Sequence, residues 1–428
     1  MPAAPQFQSE FLRTFVARGA YYDCSSPEDL DALFAKERVT AYIGFDCTAK
    51  SMHIGNLVQL MTLRRLQQAG HKPILLMGGG TTKAGDPSGK DETRLILTPE
   101  QINENKQSML SGVRHLLKFG DEPADAIMVD NADWLDRLEY IPFLREVGRH
   151  FSVNRMLTMD SVKIRLDRDQ PLSFLEFNYS LMQAYDFVEL NKRFGCRLQS
   201  SGSDQWGNVV SGLELGRRMG TPQLFGLTTP LITTASGAKM GKTASGAVWL
   251  NKEMLSVYDY WQFWRNTEDG DVGRFLRLFT DMPEGEIVRL EQLQGAELND
   301  AKKVLATEAT AILHGREAAD KAAATAHAAF TGGGTEGLPT IEWDWSAGEV
   351  SGEQNWKQRS AAAILKASGL ATSLSDARRK IEKDKGVSIN DKPIEHHDQW
   401  FEKTDVDPKT GTFKVQFGKK KIVLVKPI

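Results

Sequence analysis

Cysteine is scarce in this chain of 428 residues. Cys24, Cys47 and Cys196 are the only three, they lie far apart, and none stands in a C-x-x-C pair. An odd, scattered set excludes a disulfide framework and a cysteine-based zinc site. His396-His397 reads as a loop pair, so no metal ligands are expected. No apolar run approaches the roughly 18 residues that a membrane span needs. The opening residues Met1-Pro2-Ala3-Ala4-Pro5-Gln6 lack a basic start followed by an apolar core. No secretory signal is therefore expected, and a cytoplasmic location is. Charge of one sign is also nearly absent in total, at −3, but the total hides an asymmetry. Residues 355–428 carry 16 Lys and Arg against 9 Asp and Glu, while the preceding 354 carry 37 against 47. A basic module on an acidic body suits a polyanionic partner.

What is present is an alternation of two periodicities. Apolar strand-like runs stand at Thr40–Cys47, Pro73–Gly78, Ala126–Asn131 and Leu224–Thr233, with helical patterns between them at Leu57–Leu66 and Thr98–Lys118. Strands alternating with helices predict an α/β fold with a parallel, Rossmann-like sheet and a ligand site beyond the carboxyl ends of the strands. Residues 1–235 are expected to form this domain, with a connective segment inserted at about 125–190. Residues 236–330 read as helical. The glycine-rich run Thr331–Gly337 opens a linker expected to reach residue 357, with little pattern around its tryptophans. Residues 358–428 read as two short helices followed by strands at Gly386–Ile389, Thr412–Phe417 and Lys421–Val425, a small α+β unit.

Five segments carry chemistry. Tyr42 to Asn56 runs from a strand through His53-Ile54-Gly55-Asn56 into a helix start, where backbone N–H groups and the helix dipole favour phosphate. Gly78 to Lys90 is glycine-rich but does not fit the P-loop spacing. Tyr179, Gln183 and Asp186 are spaced to share one helix face, and inward polar groups there need partners, from each other or from a ligand. Gly202-Ser203-Asp204-Gln205-Trp206-Gly207-Asn208 follows a strand-like Cys196–Gln199. An Asp at a strand end can accept ribose hydroxyls. Lys239-Met240-Gly241-Lys242-Thr243 sets two lysines three residues apart in a loop, mobile charge suited to a departing polyphosphate.

In this order the five resemble the motifs of class I aminoacyl-tRNA synthetases, and in particular the bacterial-type tyrosyl-tRNA synthetases. Residues 358–394 resemble an S4-type RNA-binding domain. The resemblance implies activation of an amino acid with ATP and Mg²⁺, the metal bound through phosphates, then transfer to tRNA by a homodimer. Tyr42, Asp46, Asp86, Tyr179, Gln183, Asp186 and Gln205 are implied to bind tyrosine. Gly44, Asp46, His53, Gly55, Asn56, Gly202, Asp204, Lys239, Met240 and Lys242 are implied to bind ATP. Thr48, His53, Asn56, Lys90, Arg94, Lys239 and Lys242 are implied to act on the polyphosphate. Asn56 stands where the family more often has His, with its donor role expected to persist. Arg217 and Arg218 are matched to the tRNA acceptor stem, and Arg378, Arg379, Lys380, Lys383 and Lys385 to RNA phosphates. Two rivals weigh less. A tryptophan-specific relative has no phenol for Tyr42 and Asp186 to bind. A retired, purely RNA-binding scaffold has no reason to keep His53, Asp86, Lys239 and Lys242.

Overall fold

The computed structural model describes residues 5–87, 97–237, 240–243, 246–331, 335, 337–344, 359–418 and 421–428. The chain divides into two compact units. One comprises Met1–Leu255 with Phe263–Arg316, and the other Ser256–Gln262 with Glu317–Ile428.

The first unit is built on six strands: β1 (Asp23–Cys24), β2 (Thr40–Asp46), β3 (Lys72–Gly78), β4 (Ile127–Asp130), β5 (Leu198–Gly202) and β6 (Phe225–Thr229). Their order across the sheet is β1-β6-β5-β2-β3-β4. Strands β2 to β6 are mutually parallel, and β1 pairs antiparallel at the edge. Helices cover both faces of such a sheet, so its strands read as continuous apolar runs. In β3 every residue after Lys72 is buried. From β2 the chain proceeds to β3 on one side, and from β5 to β6 on the other. The adjacent carboxyl ends of β2 and β5 thus open the crevice where this fold class places ligands.

The helices Ile54–Gln68, Pro99–Val113, Tyr179–Phe194 and Trp206–Arg218 follow from the periodic segments. Phe187 of the third is fully buried and meets the ring of Tyr42 edge-on, with centroids 5.2 Å apart. Tyr42, Ile74, Leu76, Trp134, Phe187 and Leu190 share one core. Arg65, near the end of the Ile54–Gln68 helix, donates to the carbonyls of Arg277 and Leu278 at 2.7 Å each. This caps the helix Val272–Phe279 and ties the two elements together.

Some boundaries differ from the sequence reading. The run expected at Leu224–Thr233 ends as a strand at Thr229, because Pro230 has no N–H to give the ladder. The strand expected at Cys196–Gln199 lies at Leu198–Gly202. Strands β7 (Lys242–Thr243) and β8 (Gly246–Ala247) form a small antiparallel pair.

In the second unit, β9 (Thr340–Trp343), β10 (Val387–Ile389), β11 (Lys392–Pro393), β12 (Phe413–Phe417) and β13 (Lys421–Pro427) form a sheet of order β11-β10-β12-β13-β9. Residues 340–343, expected within a patternless linker, pair in parallel with Leu424–Pro427. Their signal was too short for periodicity to register. The helices Ala361–Ala367 and Leu374–Glu382 begin at Ser360 and Ser373, whose hydroxyls accept from Ala363 N and Asp376 N. Ile364, Leu365, Ile381, Ile389, Phe413 and Val415 close the core beneath them.

Candidate active site

The site is assembled at the carboxyl ends of the central strands. His53 is the N-cap of the helix Ile54–Gln68. Its Nδ1 accepts from Gly55 N at 3.1 Å, and Asn56 Oδ1 accepts from His53 N at 3.1 Å. These reciprocal bonds form a capping box. Asn56 therefore fixes the helix start as an acceptor, where the resemblance implied a donor. A Cβ on Gly55 would lie 2.8 Å from the His53 ring, so the glycine leaves room for the ring that caps it.

The second lysine motif joins this helix start through backbone. Ile54 N donates to Val248 O at 2.8 Å, Val248 N to Gly241 O at 3.1 Å, and Met240 N to Ile232 O at 3.0 Å. Met240 is buried. Gly241 has φ +91°, and a Cβ there would stand 2.5 Å from Ile54 Cγ2. Only glycine satisfies both conditions without strain. Asp271 Oδ2 accepts from Ala235 N at 2.7 Å and Glu268 Oε2 from Ser236 N at 3.1 Å, which holds the preceding stem.

Beneath lies a buried polar network. Asp46, at the end of β2, accepts from Thr81 Oγ1 at 2.8 Å and from the Tyr179 hydroxyl at 3.1 Å. Asn131 Nδ2 donates to Thr81 Oγ1 at 3.0 Å and to Asp186 Oδ2 at 2.9 Å. Trp134 Nε1 donates to Asp186 Oδ1 at 2.7 Å. Asp186 is 2% exposed. Burial pushes its carboxyl up to about 8, against the two hydrogen bonds that favour its charged form. Burial also raises the Tyr42 phenol well above its ordinary value, with the Asp186 charge adding to the shift. The Tyr42 hydroxyl has no hydrogen-bond partner among the described residues. Tyr179 is raised likewise by burial, then by Asp46.

Asp86 accepts from Gln205 Nε2 at 3.0 Å, and Gln205 Oε1 accepts from Asn208 Nδ2 at 2.9 Å. Gln183 is partly buried on the same helix as Tyr179 and Asp186, and Gly202 ends β5 with Asp204 exposed beyond it. Gly44 and Thr48 are exposed around the end of β2. Lys90, Arg94 and Lys239 lie outside the described residues, and Lys242 is described by its backbone alone. Thr81, Asn131 and Trp134 were missed in the sequence. Each sits just past a strand, which was the available signal, but the residue types alone are unremarkable there.

The basic residues are largely paired within their own units. Arg217 reaches Glu214 at 3.1 Å, and Arg218 donates to His150 O at 2.7 Å. Arg378 pairs with Glu382 at 3.0 Å, and Arg379 with Asp376 at 2.6 Å. Lys380 is turned inward, donating to Asp376 and Leu370 O and lying over the Phe417 ring. Lys383 and Lys385 are exposed.

The family described as "tRNA synthetases class I (W and Y)" matches residues 35–331. Fold and match together define a class I aminoacyl-tRNA synthetase. The tyrosine–tRNA ligase of Rhodopseudomonas palustris is 58% identical over 421 residues, covering 98% of this chain and 99% of that one. That of Bradyrhizobium diazoefficiens is 57% identical over 422 residues, with the same coverage. A C-terminally truncated mitochondrial tyrosyl-tRNA synthetase of Aspergillus nidulans superposes with a TM-score of 0.67 at 30% identity, over 74% of this chain and 93% of that one. The chain belongs to the tyrosine–tRNA ligase family.

The Asp186 shift has a consequence for stability. Its folded pKa stands above its unfolded one, so its contribution is fully present below about 4 and is lost as pH rises through about 8. Between these limits the ligand-free protein should lose up to about 1.4 kcal/mol per pH unit from this group. Asp186→Asn should flatten that slope in urea titrations from pH 5.5 to 8.5. An unchanged slope would show that Asp186 is ionised throughout.

Proposed function

We propose that this chain joins L-tyrosine to the 3′-terminal adenosine of its cognate tRNA by way of tyrosyl-adenylate. The observation that carries the choice of tyrosine is the buried pair of Tyr42 and Asp186. A phenolic hydroxyl without a partner among the described residues, beside the Asp186 carboxyl group held by Asn131 and Trp134, offers one donor and one acceptor to a second phenol. An indole N–H donates but offers no acceptor to the Tyr42 hydroxyl, and phenylalanine leaves that hydroxyl without a partner.

The substrate ammonium sits among Asp46, Asp86, Tyr179 and Gln183, with Gln205 near its carboxylate. Tyr179 and Gln205 keep the two Asp carboxylates aimed. Gly202 and Asp204 take the ribose hydroxyls, and Gly44 and Gly55 allow close approach of the nucleotide. The tyrosine carboxylate attacks the α-phosphorus, a P–O bond to the β-phosphate breaks, and pyrophosphate departs. His53 and Thr48 contact the γ-phosphate, and Lys90, Arg94, Lys239 and Lys242 neutralise the charge that develops on the leaving group. Such stabilisation counts because it is stronger in the transition state than in the bound substrate. Mg²⁺ is read as accompanying ATP on its phosphate oxygens. The adenosine hydroxyl of the tRNA then attacks the tyrosyl carbonyl, and AMP leaves. No protein nucleophile is required, since positioning and charge suffice.

Two partner assignments belong to the same proposal. A homodimer is supported by Tyr140, Ile141, Val153 and Phe174, large apolar side chains each 58–66% exposed within the inserted segment. RNA binding by the second unit is supported by its charge excess and by the exposed Lys383 and Lys385. The expected location is the cytoplasm, and no helix among the described residues is long and apolar enough to cross a membrane.

Amino-acid-dependent ATP–pyrophosphate exchange, tried with all twenty amino acids, tests the activity. Exchange with tyrosine alone is the expected result, and exchange with tryptophan instead would overturn it. Tyr42→Phe should raise the tyrosine KM about 2- to 10-fold, as loss of one hydrogen bond implies. Its melting temperature without ligand should not fall, because the removed hydroxyl has no partner among the described residues. Lys383→Glu with Lys385→Glu should weaken tRNA charging and flatten the salt dependence of tRNA binding, with pyrophosphate exchange unchanged. Equal loss in both reactions would assign the two lysines a structural role.

A further inference from the structure

Behind Asp186 and Trp134 stands a second layer of polar residues. The guanidinium of Arg193 lies over the Trp134 ring, 5.1 Å from its centroid. Arg193 Nε donates to Glu189 Oε2 at 2.9 Å, and the Tyr185 hydroxyl donates to Glu189 Oε1 at 2.9 Å. Lys192 approaches the same oxygen at 3.4 Å. Glu189 is 7% exposed, and its carboxyl is held below the usual range by Arg193 and Tyr185 against the opposing effect of burial. Asp186, Glu189 and Arg193 all belong to the helix Tyr179–Phe194, at spacings of three and four that bring them to one face. Trp134 comes from the other side, just past β4, and is 3% exposed.

The indole is thus gripped in two ways. Its N–H points into the site and donates to Asp186. Its π-face meets a cation that is itself fixed by a buried carboxylate. A cation over the ring draws electron density from it, which makes the N–H a stronger donor, and the stacking fixes the ring plane that aims that donor. Glu189 is spaced to do this: a flexible arginine would otherwise spread over many rotamers at the surface.

We propose that Arg193, held by Glu189, is a positioning residue for tyrosine specificity: it fixes Trp134 so that the indole N–H orients the Asp186 carboxylate toward the substrate phenol. The proposal rests on the tyrosine-site reading above, and the two can fail separately.

The test is a double-mutant cycle on pyrophosphate exchange, with Arg193→Ala and Trp134→Phe alone and together. Trp134→Phe keeps an aromatic ring under the guanidinium and removes the N–H. Arg193→Ala should raise the tyrosine KM about 2- to 10-fold and lower the tyrosine-over-phenylalanine preference by a similar factor, with the ATP KM unchanged. Arg193→Lys should restore part of the loss, and Arg193→Gln, which keeps the aliphatic stem, should not. In the Trp134→Phe background Arg193→Ala should add nothing. Equal effects of Arg193→Ala in both backgrounds, or a loss shared by the ATP KM, would overturn the clamp. Asp186→Asn runs beside them. If it abolishes the preference while Arg193→Ala leaves it intact, the clamp alone is wrong. If Asp186→Asn also leaves the preference intact, the tyrosine-site reading falls and the clamp with it.

Discussion

The constraint that organises this molecule is a carboxylate in the interior. Asp186 is buried, and an isolated charge there would cost far more than folding can spare. Two donors meet it, Asn131 from the end of β4 and Trp134 one turn later. Those donors require β4 to run beside β3 in the observed register, which sets Met77 opposite Asp130. The same network reaches Asp46 through Thr81, and Asp46 terminates β2. Strand order, the loops after β2, β3 and β4, and the helix bearing Asp186 are therefore coupled through one polar cluster. A cluster of this kind tolerates few changes, since a partly satisfied one is worse than none.

Its energetic tension is also its use. Two hydrogen bonds favour the ionised form of Asp186, while desolvation opposes it strongly enough to raise the carboxyl far above its ordinary value. Tyr42 is buried with its hydroxyl unsatisfied among the described residues. A ligand phenol that answers both groups recovers free energy that the empty fold forgoes, and a ligand with neither donor nor acceptor there recovers none. Discrimination of this type comes from the cost of leaving polar groups unpaired more than from any gain in contact.

Much of this was legible in the sequence, for definite reasons. Parallel strands buried on both faces must be continuous apolar runs, so β2, β3, β4 and β6 stood out. Tyr179, Gln183 and Asp186 were visible because polar residues at helical spacing violate the pattern of an apolar face. Asn131 and Trp134 were not, because an Asn after a strand is ordinary turn chemistry and a Trp is ordinary core. Their significance lies in a contact to a residue more than fifty positions away, which no local period encodes. Strand β9 was missed for a related reason. It is four residues long, and its identity as a strand comes from pairing with β13, at the far end of the chain. The ion pairs that occupy Arg378 and Arg379 were equally invisible, since charge counting does not say which charges already face a partner.

The two signature motifs illustrate a different limit. Read separately, His53-Ile54-Gly55-Asn56 and Lys239-Met240-Gly241-Lys242 are a helix start and a basic turn. In the structure they share backbone: Ile54 N bonds Val248 O, and Val248 N bonds Gly241 O. Gly241 lies against Ile54 with no room for a Cβ, in a conformation that disfavours any other residue. The glycine in the second motif is therefore matched to the isoleucine in the first. Asn56 is matched to His53 in the same manner, through the reciprocal cap. Asn56 and Gly241 each have a partner within reach, so each is better understood as half of a local pair than as an isolated residue. A chain that changed one half alone would have to move the helix start, and with it the N–H groups on which the reading of phosphate binding depends.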